Sequence, residues 1–151
     1  MNTLKLLPEP FIQDKVMKYL DKNKNYKPVK PKGLREHGVD IKMKHKSYGR
    51  YFLVECKGDP SKNVKSPEGS RNSCMNSALG QIITRMHTNK KGSYGGYNYG
   101  IAFPESFKNR VLSKIPFYAC NKLRLSIFLV NSGGGVEEYN YRRLKVIQNK
   151  K

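Results

Sequence analysis

Asp40, Glu55 and Lys57 are the residues whose types and spacing point most directly to chemistry. From Val39 to Lys44 the chain alternates, with Val39, Ile41 and Met43 on one face and Asp40, Lys42 and Lys44 on the other. That period of two is a strand pattern. His45 to Arg50 contains Gly49 and reads as a turn. Tyr51 to Lys57 is apolar on both faces until Glu55, as in a strand inside a sheet. A hairpin register that pairs Asp40 with Glu55, or one that pairs it with Lys57, puts all three side chains on one face. The register between those two pairs Asp40 with Cys56 and turns Asp40 to the other face, and the turn length leaves the choice open.

Two carboxylates at one end of a buried sheet repel each other unless a cation lies between them. Mg²⁺ is held in this way, by one or two carboxylates together with waters and phosphate oxygens. It stabilises charge on a phosphoryl group and acidifies a bound water, and Lys57 is placed to orient or activate that water. Cys56 faces the other side of the strand, which leaves only its backbone carbonyl for a metal. The same three residues also suit a structural Asp–Lys or Glu–Lys pair at a strand end.

The elements that must carry these residues form an α/β pattern. Residues 9–22 make an amphipathic helix, with Pro10 in its first turn and an apolar stripe of Phe11, Ile12, Val16, Tyr19 and Leu20. Asn23 to Lys32, with Pro28 and Pro31, reads as a basic loop, and Gly58 to Ser70 as a polar loop. Arg71 to about Thr88 is a helix with Met75, Leu79, Ile82, Ile83 and Met86 on its apolar side. Asn89 to Tyr97 is a Gly- and Tyr-rich loop. Strands follow at Asn98–Phe103, Arg124–Asn131 and Val136–Tyr141, with a helix at Glu105–Lys114. The expected fold is one α/β domain over residues 1–151, a sandwich whose central mixed sheet is flanked by helices, with a core at about 9–131 and a basic tail at 142–151.

Lys and Arg number 30 against 11 Asp and Glu, a formal net charge of +19 on 151 residues. The basic residues run through the whole chain, so the charge belongs to the folded body and points to a polyanionic partner. No apolar run has a membrane span's length. The first eleven residues, broken by Pro8 and Pro10, do not read as a signal peptide. Cys56, Cys74 and Cys120 have neither disulfide nor zinc spacing, and a reducing, cytoplasmic setting is expected.

Gly38-Val39-Asp40, followed after residues 41–54 by Glu55-Cys56-Lys57-Gly58, resembles the PD-(D/E)xK nuclease superfamily, the restriction-endonuclease-like fold. That family's core runs helix, three-strand meander, helix, strand. Here the third meander strand is not evident between Gly58 and Ser70, and Val39 stands where the motif has Pro. The resemblance implies Mg²⁺-dependent hydrolysis of phosphodiester bonds, with Mn²⁺ able to substitute. Asp40, Glu55 and the Cys56 carbonyl would be the metal ligands and Lys57 the catalytic lysine. It also singles out Gln81 on the later helix, and Glu9 and Glu36 as further acidic candidates. Arg85, an i,i+4 neighbour of Gln81, and Lys42, Lys44, Lys62 and Lys65 are the expected nucleic-acid contacts. DNA is the expected substrate, and a homodimer would let one active site per chain cut both strands. The competing reading is a non-catalytic nucleic-acid-binding module on the same fold, with Tyr94, Tyr97 and Tyr99 stacking on bases.

Overall fold

Six strands in sequence order, β1 to β6, form one mixed sheet. The computed structural model describes residues 5–30, 38–61, 63–86 and 96–150. Helix α1, Glu9–Lys24, buries Ile12, Val16 and Leu20 at helical spacing and ends at Asn25, which takes the left-handed conformation (φ 67°). The chain then enters β1, Tyr26–Pro28, which pairs antiparallel with β2, Ile41–His45. β2 pairs antiparallel with β3, Arg50–Cys56. Helix α2, Pro67–Thr84, crosses over to β4, Gly96–Pro104, which lies parallel to β3. A 3-10 turn at Glu105–Phe107 leads into α3, Lys108–Lys114, and α4, Phe117–Leu123. β5, Leu125–Val130, runs parallel to β4, and β6, Val136–Tyr139, antiparallel to β5. Helix α5, Tyr141–Gln148, closes the chain.

The architecture is the α/β sandwich expected, with an apolar core on each face of the sheet. On one face α1 covers Ile41, Met43, Phe52, Val54, Ala102 and Phe128. On the other, α2 and the later helices cover Leu53, Tyr99, Ile101, Phe103, Ile127 and Leu129. Double coverage explains why β5 is apolar at every position but Ser126. Gly100 in β4 is needed for that packing, because a Cβ there would stand 2.6 Å from the Phe128 ring and 3.2 Å from Phe52.

Several elements differ from expectation. The third meander strand precedes Asp40 instead of following Gly58. It is β1, inside the stretch expected as a loop. Its Pro28 is tolerated because β1 is the edge strand, and Tyr26 is buried edge-on against Phe52. The order helix, three-strand meander, helix, strand is therefore present. Helix α2 begins at Pro67, where the Ser66 side chain accepts a hydrogen bond from Gly69 N. The expected tail is mostly α5, capped by Asn140, whose side chain accepts from Arg143 N at 2.9 Å, and anchored by buried Leu144. Its charge hid its one apolar anchor. Helix α4 also lay outside the expectation, since its seven residues offer too short a window for periodicity. Among the described residues no helix is long and apolar enough to cross a membrane.

Candidate active site at the β2–β3 hairpin

The hairpin pairs Ile41 with Val54 and Lys42 with Leu53. Continued by one residue, this register sets Asp40 opposite Glu55, the first of the two arrangements that keep both carboxylates on one face. Asp40 Oδ2 accepts a hydrogen bond from the backbone N–H of Cys56 at 2.8 Å, which holds its carboxylate at the end of β3.

Glu55 is 3% exposed, one of two buried charged side chains among the described residues. Burial, and then a hydrogen bond and charge repulsion from Asp40, push its carboxyl up to about 7. Arg85 opposes the shift: its Nε donates to Glu55 Oε1 at 3.3 Å. Glu9, at the start of α1, also has a raised carboxyl, from burial first and then from Asp40, while Lys57 pulls it down. The four groups thus share one electrostatic neighbourhood.

Gly58 makes that neighbourhood possible. A Cβ on it would lie 2.5 Å from Glu9 N and 2.9 Å from Leu7 O, so the chain leaving Lys57 runs directly against the start of α1. Asp59 completes the junction. Its N–H donates to Leu7 O at 2.8 Å, and its Oδ2 accepts from Leu7 N at 2.8 Å. The Lys57 N–H donates to Ala102 O at 3.0 Å, extending the β3–β4 ladder up to the lysine.

Gln81 lies on α2 one turn before Arg85, on the same side of the helix. Its Oε1 is buried and has no hydrogen-bond partner among the described residues. An orphaned buried acceptor one helical turn from Arg85, the partner of Glu55, fits a cation or a metal-bound water. The donor set of hard oxygens from Asp40, Glu55 and the Cys56 backbone suits Mg²⁺, and Glu9 stands at its edge. No cluster of three or more His, Cys, Asp or Glu side chains is gathered among the described residues. The Cys56 side chain packs in the α1-side core, and burial pushes its thiol well up, with Asp40 and Glu9 adding to the shift.

Other expected site residues fall differently. Lys42 is buried, with its ammonium 4.8 Å from the Tyr51 ring centroid, and so does not face solvent as a phosphate contact. Its strand face is the covered one, and cation–π packing takes the charge. Arg85 is the partner of Glu55, a role that helix periodicity alone did not reveal. Lys44 is half-buried, 5.9 Å from the same Tyr51 ring, and Lys65 is exposed ahead of α2. Lys62, Glu36 and Tyr94 lie outside the described residues. Tyr99 is in the core, and Tyr97 stacks on Tyr51 with ring centroids 5.2 Å apart, so neither stands out as a free platform for bases. The junction of Gly58 and Asp59 with Leu7 was missed. A glycine directly after the lysine was its one signal.

A groove of about 1050 Å³ between α3 and α5 is lined in part by Leu112, Pro116, Val146 and Ile147, away from the Asp40–Glu55 pair. Its rim carries Lys108, Arg143 and Lys150, with no carboxylate among its lining residues.

No family model matches the sequence, and no curated protein matches it. In three dimensions the chain is similar to the crystal structure of an XisH family protein from Nostoc punctiforme, with a TM-score of 0.54 and 12% identity, covering 86% of this chain and 99% of that one. At that identity the likeness is one of fold.

Proposed function

We propose that the chain is a metal-dependent endonuclease of the PD-(D/E)xK type that hydrolyses DNA phosphodiester bonds. The observation that carries this reading is the placement of Asp40 opposite buried Glu55, whose carboxyl is raised by burial and then by the hydrogen bond and charge of Asp40, in one charge neighbourhood with Lys57 and Glu9. A structural ion pair at a strand end would match one acid with one base. Here Glu55 meets Arg85 and also a second acid, Asp40, and that second carboxylate favours a further cation. The helix, meander, helix, strand order supports the same reading, as does the net charge of +19.

Asp40, Glu55 and the Cys56 carbonyl would hold Mg²⁺ or Mn²⁺. Once bound, the ion would stabilise charge on the phosphate and acidify a water. Asp40 is fixed by the Cys56 N–H, so its carboxylate is pre-oriented. Arg85 holds Glu55 by one oxygen and lowers the cost of its ionisation. Lys57 orients the attacking water and offsets the negative charge that builds on the phosphate. Gln81 accepts a hydrogen bond from a water in the site. We further place the protein in a reducing cytoplasm, in keeping with its three free cysteines. A second copy would supply the second cut on duplex DNA.

The test is incubation of supercoiled and single-stranded DNA with the protein in Mg²⁺, Mn²⁺ or EDTA, beside Lys57→Ala. Cleavage that needs metal and is lost in the variant is expected. Salt-sensitive binding with no cleavage in any metal would overturn the enzyme and leave the binding module.

A further inference from the structure

Arg71 on α2 and Arg110 on α3 converge on a single carboxylate. Arg71 Nη1 donates to Glu68 Oε1 at 2.8 Å, and Arg110 Nη2 donates to Glu68 Oε2 at 2.7 Å. The arginines are set into the surface, with 18% and 22% of their side chains exposed, whereas Glu68 is 69% exposed. Each arginine is also braced from behind. Arg110 Nη1 donates to Asn72 Oδ1 at 3.1 Å, and the Arg71 guanidinium lies 6.0 Å from the Phe107 ring centroid. The Nε of each is buried without a hydrogen-bond partner among the described residues.

Two largely covered guanidiniums against one solvent-facing carboxylate leave one positive charge in excess. An exposed ion pair contributes about 0–1 kcal/mol, too little to explain fixing two such side chains. A planar guanidinium pair is, however, well matched to an oxyanion with several acceptor oxygens.

The position of the pair also matters. Arg110 follows the C-terminal end of β4, and Cys56 at the C-terminal end of β3 pairs with Ala102, so the chain reaches Arg110 from the end of the sheet that carries Glu55. Arg71 lines a groove of about 540 Å³ with Leu7, Asp59 and Ser106. Leu7 and Asp59 are the residues that clip the chain just beyond Lys57 to the start of α1. The groove therefore begins beside the candidate site. Asp59 and Glu105 are the acids lining it, and Asp59 is already engaged by Leu7 N and Ser106 Oγ.

We propose that Arg71 and Arg110 form a clamp for a backbone phosphate of the nucleic acid flanking the cleaved bond, and that Glu68 is the placeholder this phosphate displaces. The inference rests on the nucleic-acid reading above, but it concerns binding and is tested without cleavage. Affinity for a labelled duplex oligonucleotide is measured over a salt series in EDTA, in the Lys57→Ala protein and in the same protein carrying Arg71→Lys, Arg110→Lys, Arg71→Ala, Arg110→Ala or Glu68→Gln. Each Ala variant weakens binding and lowers the salt slope by about one. Each Lys variant keeps the charge but loses the fork, and weakens binding less. Glu68→Gln, which frees both arginines, tightens binding about threefold to tenfold at low salt.

The discriminating result is that this gain vanishes when Glu68→Gln is combined with Arg71→Ala or Arg110→Ala, since loss of a negative charge alone would tighten polyanion binding whether or not the arginines are present. Unchanged or weaker binding in Glu68→Gln overturns the clamp. So does a loss in the arginine variants that appears only as a lower melting temperature with an unaltered salt slope. Inorganic phosphate and a mononucleotide run as competitors separate the sources of phosphate: displacement only at high concentration supports a polynucleotide, and tight, salt-insensitive mononucleotide binding overturns it. If the wild-type protein cuts nothing while this binding pattern holds, the nuclease reading fails and the clamp stands.

Discussion

Replacing Gly58 with alanine adds one methyl group at the junction between the site strand and the start of α1. The added Cβ would lie 2.5 Å from Glu9 N, 2.9 Å from Leu7 O and 2.9 Å from the Pro8 carbonyl carbon. All three are backbone atoms, so no rotamer change relieves the contact. Gly58 is not among the glycines with positive φ, so the effect is steric and not conformational. Either β3 or the Leu7–Glu9 segment must move by about an ångström, and overpacking of this kind costs about 1–3 kcal/mol. The same shift strains the two hydrogen bonds between Asp59 and Leu7, each worth about 1 kcal/mol net. A loss of about 2–4 kcal/mol lowers the melting temperature of a domain this size by roughly 5–12 °C. Thermal denaturation followed by circular dichroism measures this, with Gly80→Ala as the control. Gly80 lies within α2 with nothing within 4 Å of its Cβ position, and alanine there should raise stability by about 0.5–1 kcal/mol. Cleavage should also fall in Gly58→Ala at temperatures where it is folded, because Glu9 is displaced from Asp40 and Lys57. A melting temperature within about 2 °C of wild type would refute the reasoning about the junction.

Further predictions concern the carboxylates and the core. Glu55 ionises near 7 in the folded chain against 4.5 unfolded, so the folded state holds the extra proton and metal-free stability falls as pH rises through that window. Glu55→Gln removes the penalty: in EDTA it should be more stable than wild type by up to about 3 kcal/mol above pH 8 and no more stable near pH 4.5. Equal differences at both pH values would show that the carboxylate pair is not charge-frustrated. Asp40→Ala and Lys57→Ala should each reduce metal-dependent cleavage about a hundredfold or more while melting cooperatively, and full activity in either would remove that residue from the site. Gly100→Ala drives a methyl group against the Phe128 and Phe52 rings and should cost about 1–3 kcal/mol in chemical denaturation. A neutral result would mean that the rings repack freely.

Much of the frame was legible in the chain because it rests on local patterns. Ile12, Val16 and Leu20 at helical spacing mark α1, and the alternation from Val39 to Met43 marks β2. Leu125–Val130 marks a strand covered on both faces. β1 was hidden because an edge strand tolerates Pro28 and exposes Lys27, so its only apolar signal was Tyr26. Lys42 was misassigned because alternation says which residues share a face and not whether a helix covers that face. Helix α5 was hidden by its charge, since Leu144 is its one buried residue.

From the chain alone one reads the residue types gathered at the hairpin, the strands that carry them, and a net charge of +19. The sequence narrowed the hairpin to registers of alternate parity, because side chains on a strand repeat every two residues. Only the tertiary structure chose among them, bringing Asp40 opposite Glu55 through the Cys56 N–H and the full β2–β3 ladder. Only it brought Arg85 against Glu55, Glu9 against Lys57, and Arg71 together with Arg110. Those contacts join residues far apart in the chain, and their distances are set by the packing of α1, α2 and α3 on the sheet. No local pattern encodes such distances, because they follow from how whole elements close around a shared core.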